Sequence, residues 1–461
     1  MPIQKTISPV DGSVYVEREQ ASAAEVDAAL ARAVLAQRGW REVPIAERAR
    51  LCSAMVDAFV ARRDELAVEL TWQMGRPISA GGGEIGGFEE RARGMIALAE
   101  SALAPLVLPD KPGFTRYITR EPLGVSFIVA PWNFPFMTAV NAVVPSIMAG
   151  NAVILKHSAQ TPLCAERFAE AFAAAGLPEG VFQYLHLAHD ATEALIRDSR
   201  VDHVSFTGSV TGGAMVERNT AGRFIAAGLE LGGKDPAYIR ADVDLDTAVE
   251  GVMDGAFFNS GQSCCAIERI YVAEEIFDAF VERAVAWVRQ LRLGNPVDPD
   301  TTLGPLVRPA AADFVRGQIE DAVAAGARAW IDPGDYPLSV PGSAYLAPQL
   351  LTGVDHSMRV MTEESFGPVV GIMPVASDDE AIALMNDSEF GLTAAIFTRD
   401  IATGEALARR LEAGTVFTNR CDYLDPELAW TGVKQSGRGC SLSRVGFDSL
   451  TRPKSFHLKH A

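Results

Sequence analysis

The residues best suited to chemistry lie in Asn259-Ser-Gly-Gln-Ser-Cys264-Cys265-Ala266. A cysteine pair between apolar helices is more often buried packing. Glycine, serine and glutamine ahead of Cys264 describe instead a turn with close backbone approach, where a thiol is accessible and can be activated as a nucleophile. Cys265 is expected to point elsewhere and to be structural. A thiol that attacks a carbonyl needs donors for the developing oxyanion, and a base if water is to release the product. Pro131-Trp132-Asn133-Phe134-Pro135 offers the Asn133 carboxamide as the donor; the bland alternative is a turn asparagine bonded to its own backbone. Leu229-Glu230-Leu231-Gly232-Gly233-Lys234 sets a carboxylate among apolar residues. Burial without a partner raises a glutamate's pKa and suits it to general-base work near neutral pH. A solvated loop carboxylate is the competing reading.

These groups need rigid elements to hold them. From Gly124 onward short apolar runs alternate with helical stretches. Residues 125–130, 152–156, 181–185 and 203–206 read as strands, with a helix over 161–175 and another opening after Gly208. A second series follows near Asp235, with helices at 244–257 and 276–291 and a strand at 269–273. Alternation of this kind predicts α/β architecture with doubly wound parallel sheets. Asn133 then sits at the end of the first strand of its sheet, the edge where ligands bind. Ahead of the sheets, Ser22 and Glu25 form a capping box for one helix, and a helical run from about 45 to 74 ends before Gly75. Gly81, Gly83 and Gly86 match G-x-G-x-x-G, but a helix and Pro77 precede them where the dinucleotide fingerprint requires a strand. A flexible loop is expected there.

Composition narrows the partners. The chain has 461 residues and a formal charge of −18, so no basic excess exists for nucleic acid or an anionic membrane. Its length implies two or three domains. The start, MPIQKTISPVDG, lacks the basic-then-apolar pattern of a signal peptide. The apolar region 123–155 is punctuated by Pro131, Pro135 and Pro145 and reads as strand, loop and helix. Six scattered cysteines show neither disulfide nor metal-ligand spacing, which fits reduced thiols in a cytoplasm and no metal. Two β-like segments, 114–121 and 454–459, have no place in either sheet series. Such edge strands need pairing with each other or with another subunit.

The motifs PWNFP, Ile154-Leu155-Lys156, Phe206-Thr207-Gly208-Ser209, LELGGK, N-x-G-Q-x-C and Glu363-Glu364-Ser365-Phe366-Gly367-Pro368 occur in the order seen in the aldehyde dehydrogenase superfamily. The resemblance runs from about residue 7 to 460. It implies a modified Rossmann cofactor domain at 1–103 and 123–232, a catalytic domain at 233–435, and a small β oligomerisation element at 104–122 and 436–461. The mechanism it implies has Cys264 attacking an aldehyde, Asn133 and the Cys264 backbone amide holding the oxyanion, and Glu230 activating water to hydrolyse the thioester. By the same resemblance Lys156 and Glu364 hold the riboses of NAD or NADP, Gly208 and Ser209 open a helix toward the pyrophosphate, and Trp132, Ser158 and Phe366 border the cofactor. Family members with strict NAD preference commonly carry a glutamate where this chain has Ala159, so both cofactors are expected, with His157 and Ser158 assisting a 2′-phosphate. Phe134, Asn141, Phe258, Leu424 and Trp430 are expected to line the substrate entrance, Ser263 and Cys265 to flank the nucleophile, and Arg420 and Asp422 to lie on the anchoring loop. Three aromatics suggest an aromatic or medium-chain aldehyde. A homodimer or homotetramer is implied. A CoA-acylating relative usually lacks the glutamate base, and a non-catalytic relative loses the nucleophile or the oxyanion donor; neither loss is present here.

Overall fold

A computed structural model describes residues 2–460. The chain opens with an antiparallel hairpin, Ile3–Ile7 with Val14–Glu19. The Ser22 hydroxyl and the Glu25 carboxylate then cap the helix Ala23–Trp40 reciprocally, which satisfies amide hydrogens that a helix start leaves unpaired. The helical run expected to Met74 is two helices, Ile45–Val60 and Arg63–Met74, turning at Ala61 and Arg62. Gly75, with φ of 83°, closes the second in the left-handed conformation that glycine adopts freely.

The glycine run is no loop. It lies inside the helix Ile78–Leu103. Helix propensity alone argues against this, but packing overrides it. A Cβ on Gly81 would lie 2.8 Å from the Ala67 side chain, and one on Gly87 would run into the Met137 thioether. The glycines let this helix press against Arg63–Met74 and against Pro135–Ala149. A helix precedes them and no strand does, so the run is not a dinucleotide fingerprint.

Beyond Gly124 the expected alternation is present. Six strands form one sheet in the order Gly437–Arg438, Ala226–Glu230, His203–Thr207, Val125–Ala130, Ala152–His157 and Phe182–Tyr184, all parallel except the first. Val125–Ala130 is buried throughout, as a central parallel strand covered on both faces should be. Seven strands form the second sheet, in the order Arg328–Ala329, Gln349–Thr352, Val369–Val375, Ile267–Ala273, Asp235–Ile239, Thr393–Phe397 and Thr415–Thr418. A core of packed rings, Phe59, Phe88, Phe136 and Phe168, ties the helices to the first sheet.

The two leftover β segments pair with each other. Thr451–Lys459 runs antiparallel to Phe114–Pro122 over nine residues, with Leu106–Val107 on the far side. Residues 436–450 are not part of this arm: Gly437–Arg438 joins the first sheet beside Glu230. Among the described residues no helix is long and apolar enough to cross a membrane.

Candidate active site

The turn that carries Cys264 is built from strained backbone. Asn259, Ser260 and Gly261 follow one another with φ of 52°, 58° and 72°, a left-handed run that L side chains rarely adopt. Tertiary contacts hold it. Ser260 donates to the Gly304 carbonyl at 2.9 Å, Gln262 accepts from the Val307 amide at 2.8 Å, and a Cβ on Gly261 would sit 2.4 Å from the Gly367 carbonyl. The turn delivers Cys264, partly exposed, to a cavity of about 520 Å³. Cys265 is buried, and its thiol donates to Asp422 at 2.9 Å. Its hydrogen-bonded contact with Cys264, with burial and Asp422 adding, pushes that thiol well up, which disfavours a thiolate there.

Asn133 meets this turn from the other side. Its Nδ2 donates to the Gln262 carbonyl at 3.2 Å, which uses one of two amide hydrogens. The other has no partner among the described residues, and neither has the Cys264 backbone N–H. Two donors thus remain near the thiol. Sequence reasoning missed what fixes Asn133. Arg76, fully buried, donates to the Asn133 carbonyl at 2.6 Å and to Asn259 at 3.3 Å, and pairs with Glu84. Glu84 in turn accepts from the Phe136 and Met137 amides at 3.0 Å each, closing the start of the next helix. No local pattern marks this pair, because its partners lie in segments remote along the chain.

Glu230 ends its strand, accepts from Ser441 and from Thr207, the latter at 3.2 Å, and borders the same cavity as Cys264. Burial raises its pKa. Ser441 reaches it from the segment after Gly437–Arg438, which explains why that segment belongs at this site.

Parallel pairing puts the ends of Val125–Ala130, Ala152–His157, His203–Thr207 and Ala226–Glu230 on one edge. Trp132, Lys156, Ser158, Gly208 and Ser209 therefore gather there. Ser209 caps the helix Val210–Thr220 by accepting from Gly212 at 3.2 Å, so the helix starts just beyond the expected Gly208. Lys156 is largely buried, which lowers its pKa, and its ammonium has no ion pair among the described residues. Opposite, Glu364 accepts from the Gly233 amide at 3.0 Å. Burial, with Glu268 nearby, lifts its pKa to about 7. Gly232 leaves room for it: any Cβ would lie 2.3 Å from that carboxylate. Phe366, at φ of 52°, meets Trp132 edge-on at 5.6 Å. A buried pair, Lys234 with Glu268 at 2.6 Å, holds this loop, since Glu268 also accepts from the Ser365 and Phe366 amides. An unpaired ammonium, a helix start and two aromatics on one edge fit a dinucleotide cofactor.

His157 departs from expectation. It is buried, its Nε2 lies 3.1 Å from the Pro135 carbonyl, and its Nδ1 takes the Ser158 amide at 3.0 Å. Burial lowers its pKa to about 3. It is a neutral structural residue with no cation to lend a 2′-phosphate. Ser158 is partly exposed and Ala159 exposed.

Phe134, Asn141, Phe258, Leu424 and Trp430 all border the 520 Å³ cavity. Phe134 and Phe258 stack at 6.2 Å. Asp422 accepts from Ser263 at 3.1 Å, while Arg420, which also borders the cavity, sets its guanidinium 3.6 Å over the Tyr423 ring.

Cysteine on a strained turn, amide donors beside it and a buried carboxylate across the cavity are an arrangement suited to carbonyl chemistry. Comparison agrees: the aldehyde dehydrogenase family pattern matches residues 2–456, and the chain belongs to that family. It is 39% identical to succinate-semialdehyde dehydrogenase [NADP(+)] 1 of Mycobacterium tuberculosis, over 99% of each chain. Among solved structures it is similar to NAD-dependent aldehyde dehydrogenase from Sinorhizobium meliloti, with TM-score 0.95 and 34% identity over 99% of this chain and 92% of that one. It is equally similar to succinate-semialdehyde dehydrogenase from Burkholderia pseudomallei, with TM-score 0.95 and 32% identity over 99% and 95%.

Proposed function

We propose that this enzyme oxidises an aldehyde to its carboxylic acid with NAD or NADP through a thioester on Cys264. The observation that carries the reading is the accessible Cys264 thiol beside two uncommitted donors, the Asn133 carboxamide and its own backbone N–H. The thiolate adds to the aldehyde carbon, and the two donors take up the negative charge on oxygen. NAD(P), held by Lys156 and Glu364 along the strand edge, would supply the acceptor for the hydride that leaves that carbon. The carbonyl re-forms as a thioester. Glu230 takes a proton from water, the water oxygen bonds to the acyl carbon, and the Cys264 thiolate leaves. In this reading Lys156 and Glu364 hold the riboses, and residues 1–103 with 123–232 make the cofactor domain.

The test is an aldehyde panel run with NAD and with NADP, on the natural protein and on Ala159→Glu. Both cofactors are expected to be reduced by the natural protein. The exposed Ala159 has space for a carboxylate, which should weaken NADP by roughly 1–3 kcal/mol through like-charge repulsion and leave NAD less affected. No reduction of either cofactor with any aldehyde overturns the oxidative reading. Equal loss for both in the variant overturns the electrostatic account of cofactor choice.

The arm supports a homo-oligomer. The strand Thr451–Lys459 pairs on one side only, leaving a long edge that folded proteins cover, and Leu106, Val107 and Leu458 are exposed on the same sheet. Closed symmetry makes a homodimer or a homotetramer of two dimers. Light scattering at micromolar concentration should give a dimer or tetramer mass; a monomer there overturns the assignment.

A further inference from the structure

Arg91 stands on the helix Ile78–Leu103 and borders the catalytic cavity. It is 8% exposed. Its guanidinium makes one hydrogen bond, from Nη1 to the Met137 carbonyl at 3.1 Å. Among the described residues no carboxylate pairs with it, and Nε and Nη2 donate to nothing. A guanidinium stays charged, so burying one without an anion is unfavourable unless the anion arrives from outside. Four nearby carboxylates are committed elsewhere, and Asp254, exposed at the same cavity, makes no ion pair with Arg91 among the described residues. Glu84 pairs with Arg76, Glu230 accepts from Ser441 and Thr207, Glu90 accepts from the Tyr423 hydroxyl at 2.6 Å, and Asp422 serves Ser263 and Cys265.

A second unmet group lies close by. Asn141, one turn beyond Met137 on the helix Pro135–Ala149, is 2% exposed and borders the same cavity. Neither its Nδ2 nor its Oδ1 has a hydrogen-bond partner among the described residues. Buried amides are nearly always paired. Two polar side chains, on two helices packed together, are thus left incomplete at one cavity.

We propose that Arg91, assisted by Asn141, receives an anionic group of the substrate, so that the preferred aldehyde is a short one with a carboxylate at the end remote from the carbonyl. This rests on the oxidative reading of the cavity given above. The planar guanidinium offers parallel donors to both oxygens of a carboxylate, and the Asn141 amide can add a third. Phe134 and Phe258 then lie along the intervening methylenes. The chain is short, because Arg91, Cys264 and Glu230 border one cavity of about 520 Å³. Arg91 is a specificity residue here, and the rival role is a counter-charge for the thiolate or for Glu230.

The experiment measures kcat and KM for a four-carbon aldehyde with a terminal carboxylate and for butanal, in the natural protein, Arg91→Met, Arg91→Lys and Asn141→Ala. The natural protein should favour the carboxylated aldehyde. Arg91→Met should shrink that preference at least about thirtyfold, the lower end of what losing one partner of a buried charge pair costs, chiefly through KM. Arg91→Lys should recover part of it, and Asn141→Ala should lose less. Equal losses for both aldehydes, or a natural preference for butanal, overturn the proposal. A readout without turnover accompanies these: succinate should slow iodoacetamide labelling of Cys264 in the natural protein and not in Arg91→Met. If no aldehyde of the panel is oxidised, the oxidative reading fails, while protection by succinate still decides whether an anion binds at Arg91; oxidation of other aldehydes but of neither of these two overturns the proposal. Absence of protection in the natural protein overturns the anion site.

Discussion

Cys264→Ser leaves a folded protein that retains its cofactor and loses turnover by on the order of 10⁴-fold or more, as removal of a covalent nucleophile does. The substitution exchanges sulfur for oxygen in a partly exposed position, so the turn at Asn259–Gly261 and its contacts persist. A hydroxyl without an adjacent base is a poor nucleophile near neutral pH. Cys265 offers no rescue, because its thiol is buried and committed to Asp422. The measurement is steady-state NAD(P)H formation alongside cofactor binding by fluorescence. A variant that keeps a tenth of natural activity would remove Cys264 from the nucleophile's role.

Glu230→Gln separates the two halves of the reaction. The amide cannot take a proton from water, so release of the acyl group should slow by roughly 10²–10⁴-fold while thioester formation proceeds. Rapid mixing should give one equivalent of NAD(P)H per site, and intact mass should show the acyl adduct. The natural enzyme should approach the same behaviour in acid. Burial raises the Glu230 pKa, so the base becomes protonated, and deacylation fails, at a higher pH than for an ordinary glutamate. Turnover therefore rises with pH through that raised value and levels above it, and the variant should lack this limb. Fast turnover in the variant with no adduct would assign deacylation to another group.

Much of this was legible along the chain. Val125–Ala130 could be read as a strand because an apolar run broken only by Ser126 meets a loop at Pro131, and the capping box at Ser22 and Glu25 is a local device with a local signature. Cys264, Asn133 and Glu230 were legible for a related reason: each sits at an element's end, where glycine, proline or a charge interrupts an apolar run. The glycine run at 81–87 was misread as a loop because its helicity comes from contacts with Ala67 and Met137, outside any local window. His157 was misjudged as a possible phosphate partner because its commitment to Pro135 and Thr161 is tertiary. Arg76, Glu84 and Glu268 escaped altogether, since a charge destined for burial looks, in sequence, like any surface charge.

The glycine-bearing helix has a consequence for how such an enzyme can change over generations. Gly83 borders the cavity, and a Cβ there would meet nothing within 4 Å. Alanine in a helix interior is favoured over glycine by about 1 kcal/mol, so the commonest single step away from Gly83 would make the fold more robust and the cavity narrower at once. Gly81 and Gly87 allow no such step, because their neighbours already occupy the space. Of the glycines in this helix, Gly83 is the one that both borders the cavity and has open room, so drift there toward a sturdier protein trims the range of aldehydes admitted. Glycine at this position sets the bore, against the helix's own thermodynamic preference.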